Sequence, residues 1–209
     1  MSDILLLAAH PDLGQSRVNR AMLDAVQGAG FAPERLAVRD LYRLYPDYAI
    51  DVQAEQAALA AARLIVLLHP LQWYSMPGLQ KLWLDEVLRF GWAYGPGGEA
   101  LAGKDLWLAL STGGAAESYS AEGHNGHAID TFLLPYSASA RLCGLRWLPP
   151  LVLHGAHRVS DARLARHVRG FVEQLQGYPQ WTAEIAASPT PEVPIDARPA
   201  LFSALERRL

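Results

Sequence analysis

The sequence predicts a doubly wound α/β domain, a parallel sheet covered by helices on both faces, from three observations. Short, wholly apolar runs, Ile4–Ala9 and Leu64–Leu68, read as central strands buried on both sides. Segments with apolar residues at helical spacing separate such runs, so strands and helices alternate. The 209 residues, 51% of them hydrophobic, suffice for one sizeable core and therefore one domain.

Ile4–Ala9 is the first strand. Val18, Met22 and Val26 then recur every four residues, giving a helix capped by Ser16 and ended by Gly28 and Gly30. Arg35–Arg39 alternates polar with apolar, as an edge strand does. Asp51–Ala62 is an Ala-rich helix feeding the Leu64–Leu68 strand. Pro77 opens a helix marked by Leu79, Leu82, Trp83, Val87 and Phe90. Leu106–Leu110 is the fourth strand, followed by a Gly-rich polar loop from Ser111 to Gly126. Ile129–Leu142 is a helix with an interruption expected near Pro135. Leu151–Leu153 is the fifth strand, and Ser160–Gln176 the last helix. An alternating second strand beside an apolar first one favours the order 2-1-3-4-5, the flavodoxin-like arrangement.

The domain so defined covers residues 1–177. From Tyr178 to Leu209, Pro179, Pro189, Pro191, Pro194 and Pro199 punctuate a tail expected to end in a short helix, Ala200–Arg208. Such a tail either wraps a partner subunit or is loosely ordered, and the wrap is favoured because Trp181, Ile185, Leu201, Phe202 and Leu205 want cover.

A net charge of −3 and the absence of any Lys/Arg run argue against nucleic-acid binding. The single cysteine, Cys143, sits in an apolar stretch and reads as an inert buried thiol in a reducing, cytoplasmic setting. Met1–Ser2–Asp3 provides no basic region for a signal peptide, and no apolar stretch approaches the ~20 residues that span a bilayer. Membrane association is expected only peripherally, at the inner membrane, through a partner.

Three loops leave the carboxyl ends of strands 1, 3 and 4, which are neighbours in the predicted order, where such sheets bind ligands. In the first, Ser16 and the free amides of Arg17, Val18 and Asn19 offer an anion site at a helix start, to which His10 and Arg17 add donors. The second, Pro70-Leu71-Gln72-Trp73-Tyr74, places two large aromatics and a Gln between a strand and a helix. That suits a flat, partly apolar ring such as a flavin. In the third, Ser111-Thr112-Gly113-Gly114, glycines let main-chain amides approach a ligand on which negative charge develops. Each loop alone also fits an ordinary cap, an aromatic core plug or a turn; their coincidence on adjacent strands favours a ligand. Trp83, Trp92 and Trp147 read as core.

These residues carry a resemblance. Ala9-His10-Pro11, Ser16–Asn19, Leu41–Asp47, His69–Pro77, Gly91–Gly95, Ser111–Gly114 and Cys143–Pro150 are similar to the flavodoxin-like NAD(P)H:quinone oxidoreductase family. Within it they most resemble the ancillary flavoprotein subunits of glutathione-regulated potassium-efflux systems. The resemblance implies FMN, with FAD as the alternative, and NAD(P)H as co-substrate. It implies that His10 and Ser16–Asn19 hold the flavin phosphate and ribityl region, Leu71–Tyr74 the ring, and Ser111–Gly114 its pyrimidine edge. It implies a homodimer with Tyr119 and the Gly123–Gly126 loop near the substrate, a quinone-like acceptor. Animal quinone reductases carry a Tyr and a His in that loop. Here Tyr119 matches the Tyr, but Asn125 stands at the His position between His124 and His127, so the proton donor stays open.

Glu122, His124 and His127, or His154 and His157, lack convincing zinc-ligand spacing, so no metal is expected. Ser111 lacks the G-x-S-x-G elbow of a hydrolase. The alternative function is regulatory: a flavin-binding subunit that activates a membrane potassium efflux antiporter. Azoreductase activity is a variant of the same redox chemistry.

Overall fold

The computed structural model describes residues 2–185. The strands are β1 (Ile4–Ala8), β2 (Leu36–Asp40), β3 (Leu64–Pro70), β4 (Asp105–Ser111), β5 (Arg146–Trp147) and β6 (Leu151–Leu153). The helices are α1 (Arg17–Gly28), α2 (Leu41–Leu44), α3 (Val52–Ala61), α4 (Gly78–Val87), α5 (Ile129–Leu142) and α6 (Asp161–Gln176). All pairings in the sheet are parallel and the order is β2-β1-β3-β4, as predicted, with β5 and β6 both on β4.

The fifth position is therefore one edge strand in two pieces. Arg146–Trp147 pairs with the start of β4 and Leu151–Leu153 with its end. Pro149 and Pro150 lie between, and a residue without an N–H cannot continue a ladder. The single turn α2 was not predicted; the Asp40 carboxylate caps it at the Arg43 N–H, 3.3 Å away, directly off the strand. Helix α5 runs unbroken through Pro135, contrary to the expected interruption. Pro135 and Thr131, whose carbonyl loses its bond, both lie on the exposed face, where water replaces that partner.

Strand alternation sends side chains to two cores. Leu5, Leu7, Ile65, Leu67, Leu106 and Leu108 meet α3, α4 and α5; Ile4, Leu6, Leu64, Val66 and Trp107 meet α1 and α6. Trp83 is core, and Trp92 and Trp147 pack against the first cluster. Cys143 is buried, which pushes its thiol up to about 11 and leaves it a poor nucleophile. Among the described residues, one acidic side chain is wholly buried. The Glu55 carboxylate in α3 accepts from Arg39 Nε at 2.7 Å, from Trp83 Nε1 at 3.0 Å and from the Tyr45 hydroxyl.

Trp181 and Ile185, expected to need a partner's cover, pack against this chain's second core, Trp181 with its ring 5.4 Å from Trp107. Arg146 anchors the segment, making a bidentate pair with Asp105 (2.6 and 2.8 Å) and donating to the Thr182 and Ile185 carbonyls. The Ala200–Arg208 helix and Leu201, Phe202 and Leu205 lie outside the described residues.

Candidate functional site

Register brings the three loops together. Ala8 lies opposite Leu68 and Pro70 opposite Ser111, so β1, β3 and β4 end side by side. The Leu71 N–H donates to Ser111 O at 2.7 Å, and the buried Asn19 amide lies 3.2 Å from Ser111 Oγ, tying α1 to the end of β4. Two clefts open above these ends and share Leu71 and Gly113. The first, about 400 Å³, is lined by His10, Gln15, Ser16–Asn19, Pro70–Gln72, Ser111, Gly113, Ala156 and His157. The second, about 350 Å³, is lined by Leu71, Trp73, Tyr74, Gly113, Gly114, Ser118, Tyr119, His124 and Asn125. A larger hollow, about 720 Å³, lies between β6, α6 and Trp181, but it receives none of the strand-end loops, so the paired clefts are the better candidate.

At the start of α1, Ser16 Oγ accepts from the Asn19 N–H at 3.1 Å, and the first-turn N–H groups of Arg17 and Val18, which a helix leaves without an internal partner, belong to residues lining the cleft. His10 Nδ1 accepts from the Asp12 N–H at 3.1 Å, so the neutral ring carries its proton on Nε2. Burial lowers the His10 pKa, against the opposing pull of Asp12, so that neutral donor form prevails near pH 7. The Arg17 guanidinium, expected to meet a phosphate, instead binds the Val159 carbonyl and the Asp161 carboxylate, pinning α6 to α1.

The second loop is strained. Gln72 and Ser75 exchange backbone hydrogen bonds of 2.9 Å in each direction, closing a tight turn with Trp73 and Tyr74 at its centre. Both have left-handed backbones, φ 48° and 62°, which cost non-glycine residues about 1–3 kcal/mol each. The turn lifts the Trp73 ring to 94% exposure. Tyr74 is held from below, stacking on Phe132 at 5.0 Å and donating its hydroxyl to Asn125 Oδ1 at 3.3 Å. Phe132 also meets the Tyr119 and His127 rings edge-on.

The third loop divides its labour. The Thr112 N–H donates to Leu153 O at 2.9 Å, so Thr112 is a support rather than a donor to the cleft. Among the described residues, the Gly113 and Gly114 N–H groups accept no such duty, and neither do those of Trp73 and Tyr74. Four free backbone donors thus edge the shared cleft. A Cβ on Gly113 would meet His157 Nε2 at 3.3 Å, and one on Gly114 the Tyr119 ring at 3.2 Å. This donor set, with an anion site at one end and an exposed aromatic at the other, fits a flavin mononucleotide.

Sequence reasoning placed the loops, Gln15 lying within the first, but missed Phe132, Ala156 and His157, which reach the site from distant segments. It weighed His154 with His157 only as metal ligands, and Glu122, His124 and His127 as a metal set, with His124 and His127 also as stand-ins for the proton donor. Among the described residues no three His, Cys, Asp or Glu side chains group as a metal site.

Beneath the second loop, His69 is fully buried. Its Nδ1–H donates to Pro70 O at 2.9 Å, its Nε2 has no partner, and its ring stacks on Tyr136 at 5.7 Å. The Tyr136 hydroxyl, near Ser75, makes no bond of good geometry either, and burial raises its pKa. Burial pushes His69 down to about 4. The unfolded chain protonates this ring near pH 6.5, so stability falls as pH drops from 6.5 to 4, by about 3 kcal/mol in all. Replacing it, as His69→Phe, keeps the ring stack and should flatten that slope in denaturant unfolding followed against pH. Equal slopes in both proteins would refute the buried-neutral assignment.

Residues 2–175 match the family model of the flavodoxin-like fold. The chain is 44% identical over 172 residues to the glutathione-regulated potassium-efflux system ancillary protein KefF of Citrobacter koseri, covering 82% of this chain and 94% of that protein. Among solved structures, the general stress protein 14 of Treponema denticola, in complex with FMN, superposes with a TM-score of 0.77. It is 36% identical over 84% of this chain and 98% of that one. An NADPH-quinone reductase from P. pentosaceus gives 0.72 at 26% identity, over 83% and 97%.

Proposed function

The chain is a member of the flavodoxin-like fold family, and on that premise we propose that it is an FMN-dependent NAD(P)H:quinone oxidoreductase. The observation that carries this reading is the set of four unpartnered backbone N–H groups, Trp73, Tyr74, Gly113 and Gly114, on residues lining the second cleft, with Gly113 lining the first as well. Preorganised donors favour a ligand that gains negative charge as it reacts. A flavin held by these residues would supply two-electron redox chemistry between NAD(P)H and a quinone, in a ping-pong cycle.

The protein's residues do the rest. Arg17 and Val18 N–H, the Ser16 hydroxyl and His10 Nε2–H receive the phosphate end, at a helix start that favours an anion. The similar Treponema protein is in complex with FMN, which supports FMN as the group taken here. Trp73, exposed at the second cleft, would shield a bound ring from solvent. Tyr119, His124 and Asn125 line the part of the cleft left for the acceptor. The Asn125 oxygen is taken by Tyr74, and a carboxamide does not titrate, so a proton passes through Tyr119 or His124 rather than Asn125.

A second reading rests on the curated relatives: an ancillary subunit of a potassium-efflux system, activating a membrane antiporter with the same flavin site. No helix among the described residues is long and apolar enough to cross a membrane, so contact with one would run through that partner. A homodimer would cover Leu134 and Leu142, exposed on α5 at 60% and 41%.

The test is initial-rate kinetics of FMN-loaded protein with NADH or NADPH and a benzoquinone. Parallel double-reciprocal lines are expected. FMN-loaded protein that oxidises neither nucleotide with any quinone or azo acceptor contradicts the enzyme reading, leaving co-purification with a potassium antiporter as the test of the second.

A further inference from the structure

His154 follows β6 directly and lies behind the Thr112–Gly114 loop, outside both clefts. The Thr112 hydroxyl has one hydrogen, and it points at Gly114 O, 2.8 Å away, which only accepts. The hydrogen in the 3.0 Å contact between Thr112 Oγ1 and His154 Nδ1 must then come from the imidazole. Neutral His154 is accordingly the Nδ1–H tautomer, with the Nε2 lone pair available. Two further bonds stitch this segment to the loop, Gly155 N–H to Gly114 O at 2.8 Å and Ala156 N–H to Thr112 O at 2.9 Å. On its other side the imidazole lies 5.2 Å from the Tyr119 ring.

The backbone donors that meet the ligand, Gly113 and Gly114, are thus held from behind by a group that can change its charge. We propose that His154 is a positioning residue for this donor loop and takes up one proton when a flavin in the cleft is reduced. This rests on the flavin reading above. Burial lowers its pKa and Arg163 in α6 adds to that, while Glu117 opposes, so the ring is neutral near pH 7 before reduction and has room for a proton. Its other contacts are the Thr112 hydroxyl and the Tyr119 ring.

The balance is simple. A hydride brings two electrons and one proton from NAD(P)H, which leaves as NAD(P)⁺, and the cleft gains one negative charge. His154 Nε2 then binds one proton from water, offsetting that charge across the loop. When the hydride passes to a quinone, Nε2 gives the proton up, and hydride plus proton make the hydroquinone. His124 and His127 are solvent-exposed, where water and salt screen such a charge.

The direct test follows histidine-ring NMR of the FMN-loaded protein through pH, oxidised and then reduced with dithionite. The proton affinity of His154 should rise about tenfold or more on reduction, as expected for an opposite charge at close range; an unchanged affinity overturns the proposal. Midpoint potentials measured against pH should bend where reduced wild type releases this proton. In H154N, whose amide still donates to Thr112, FMN should bind within about threefold of wild type while the bend disappears. A bend that persists in H154N overturns the proposal while leaving the flavin site intact. Wild type that binds no FMN overturns the flavin reading itself, so the two failures are distinguishable.

Discussion

Replacing Gly113 by valine is expected to weaken FMN binding at least a hundredfold with the fold retained. Gly113 is the residue common to both clefts besides Leu71, and its N–H is one of the four free donors. A Cβ there already meets His157 Nε2 at 3.3 Å, and the two further methyls of valine project into the space where a ring would approach the amide. Losing one charge-assisted hydrogen bond and the close approach together costs about 3 kcal/mol, which is about a hundredfold in Kd. Gly113 has an ordinary backbone angle and is exposed, and His157 is exposed enough to move, so thermal stability should stay within a few degrees. The control is Gly170→Ala, where nothing lies within 4 Å and FMN affinity should be unchanged. Fluorescence titration of FMN measures both. A folded G113V protein with wild-type affinity would remove this loop from the site.

The largest loss of stability is expected from Glu55→Ala. The carboxylate is wholly buried, and its removal leaves the Arg39 guanidinium, the Tyr45 hydroxyl and the Trp83 indole N–H without their acceptor. Stranding a buried partner of an ion pair costs about 3–5 kcal/mol, most of it the uncompensated charge left behind. For a domain of this size that lowers Tm by about 10 °C. The consequence reaches the site, because Glu55 ties β2 and α3 to Trp83 in α4, the helix that begins just beyond the strained Trp73–Tyr74 turn. The double variant Glu55→Met with Arg39→Met should recover most of the loss, since an apolar pair needs no acceptor; calorimetry distinguishes the two. A single variant as stable as wild type would mean the carboxylate is not holding these three donors.

Much of this was legible in the chain itself. Apolar runs such as Ile4–Ala9 and Leu64–Leu68 leave little choice but central parallel strands, and their polar, glycine-bearing ends stand out against them. The two-piece edge strand was not legible, because Arg146–Trp147 is too short to show a period; Pro149-Pro150 gave the only hint. Nothing at Trp73 and Tyr74 announces a left-handed backbone, since neither Gly nor Asn stands there. Closure between Gln72 and Ser75 and the packing of Tyr74 on Phe132 impose it. Phe132, His154 and His157 join the site through contacts across long sequence separations, which periodicity does not carry. Arg17 was assigned to the ligand because its partners, Val159 and Asp161, lie more than 140 residues away.

The most direct measurement of the account is a titration of flavin-free protein with FMN, followed by the ring's absorbance and fluorescence, with mass identification of what is retained. The account predicts one FMN per chain, a quenched and shifted spectrum as Trp73 and the four free amides close on the ring, and weaker retention of FAD. Protein that stays colourless and binds neither nucleotide would contradict it.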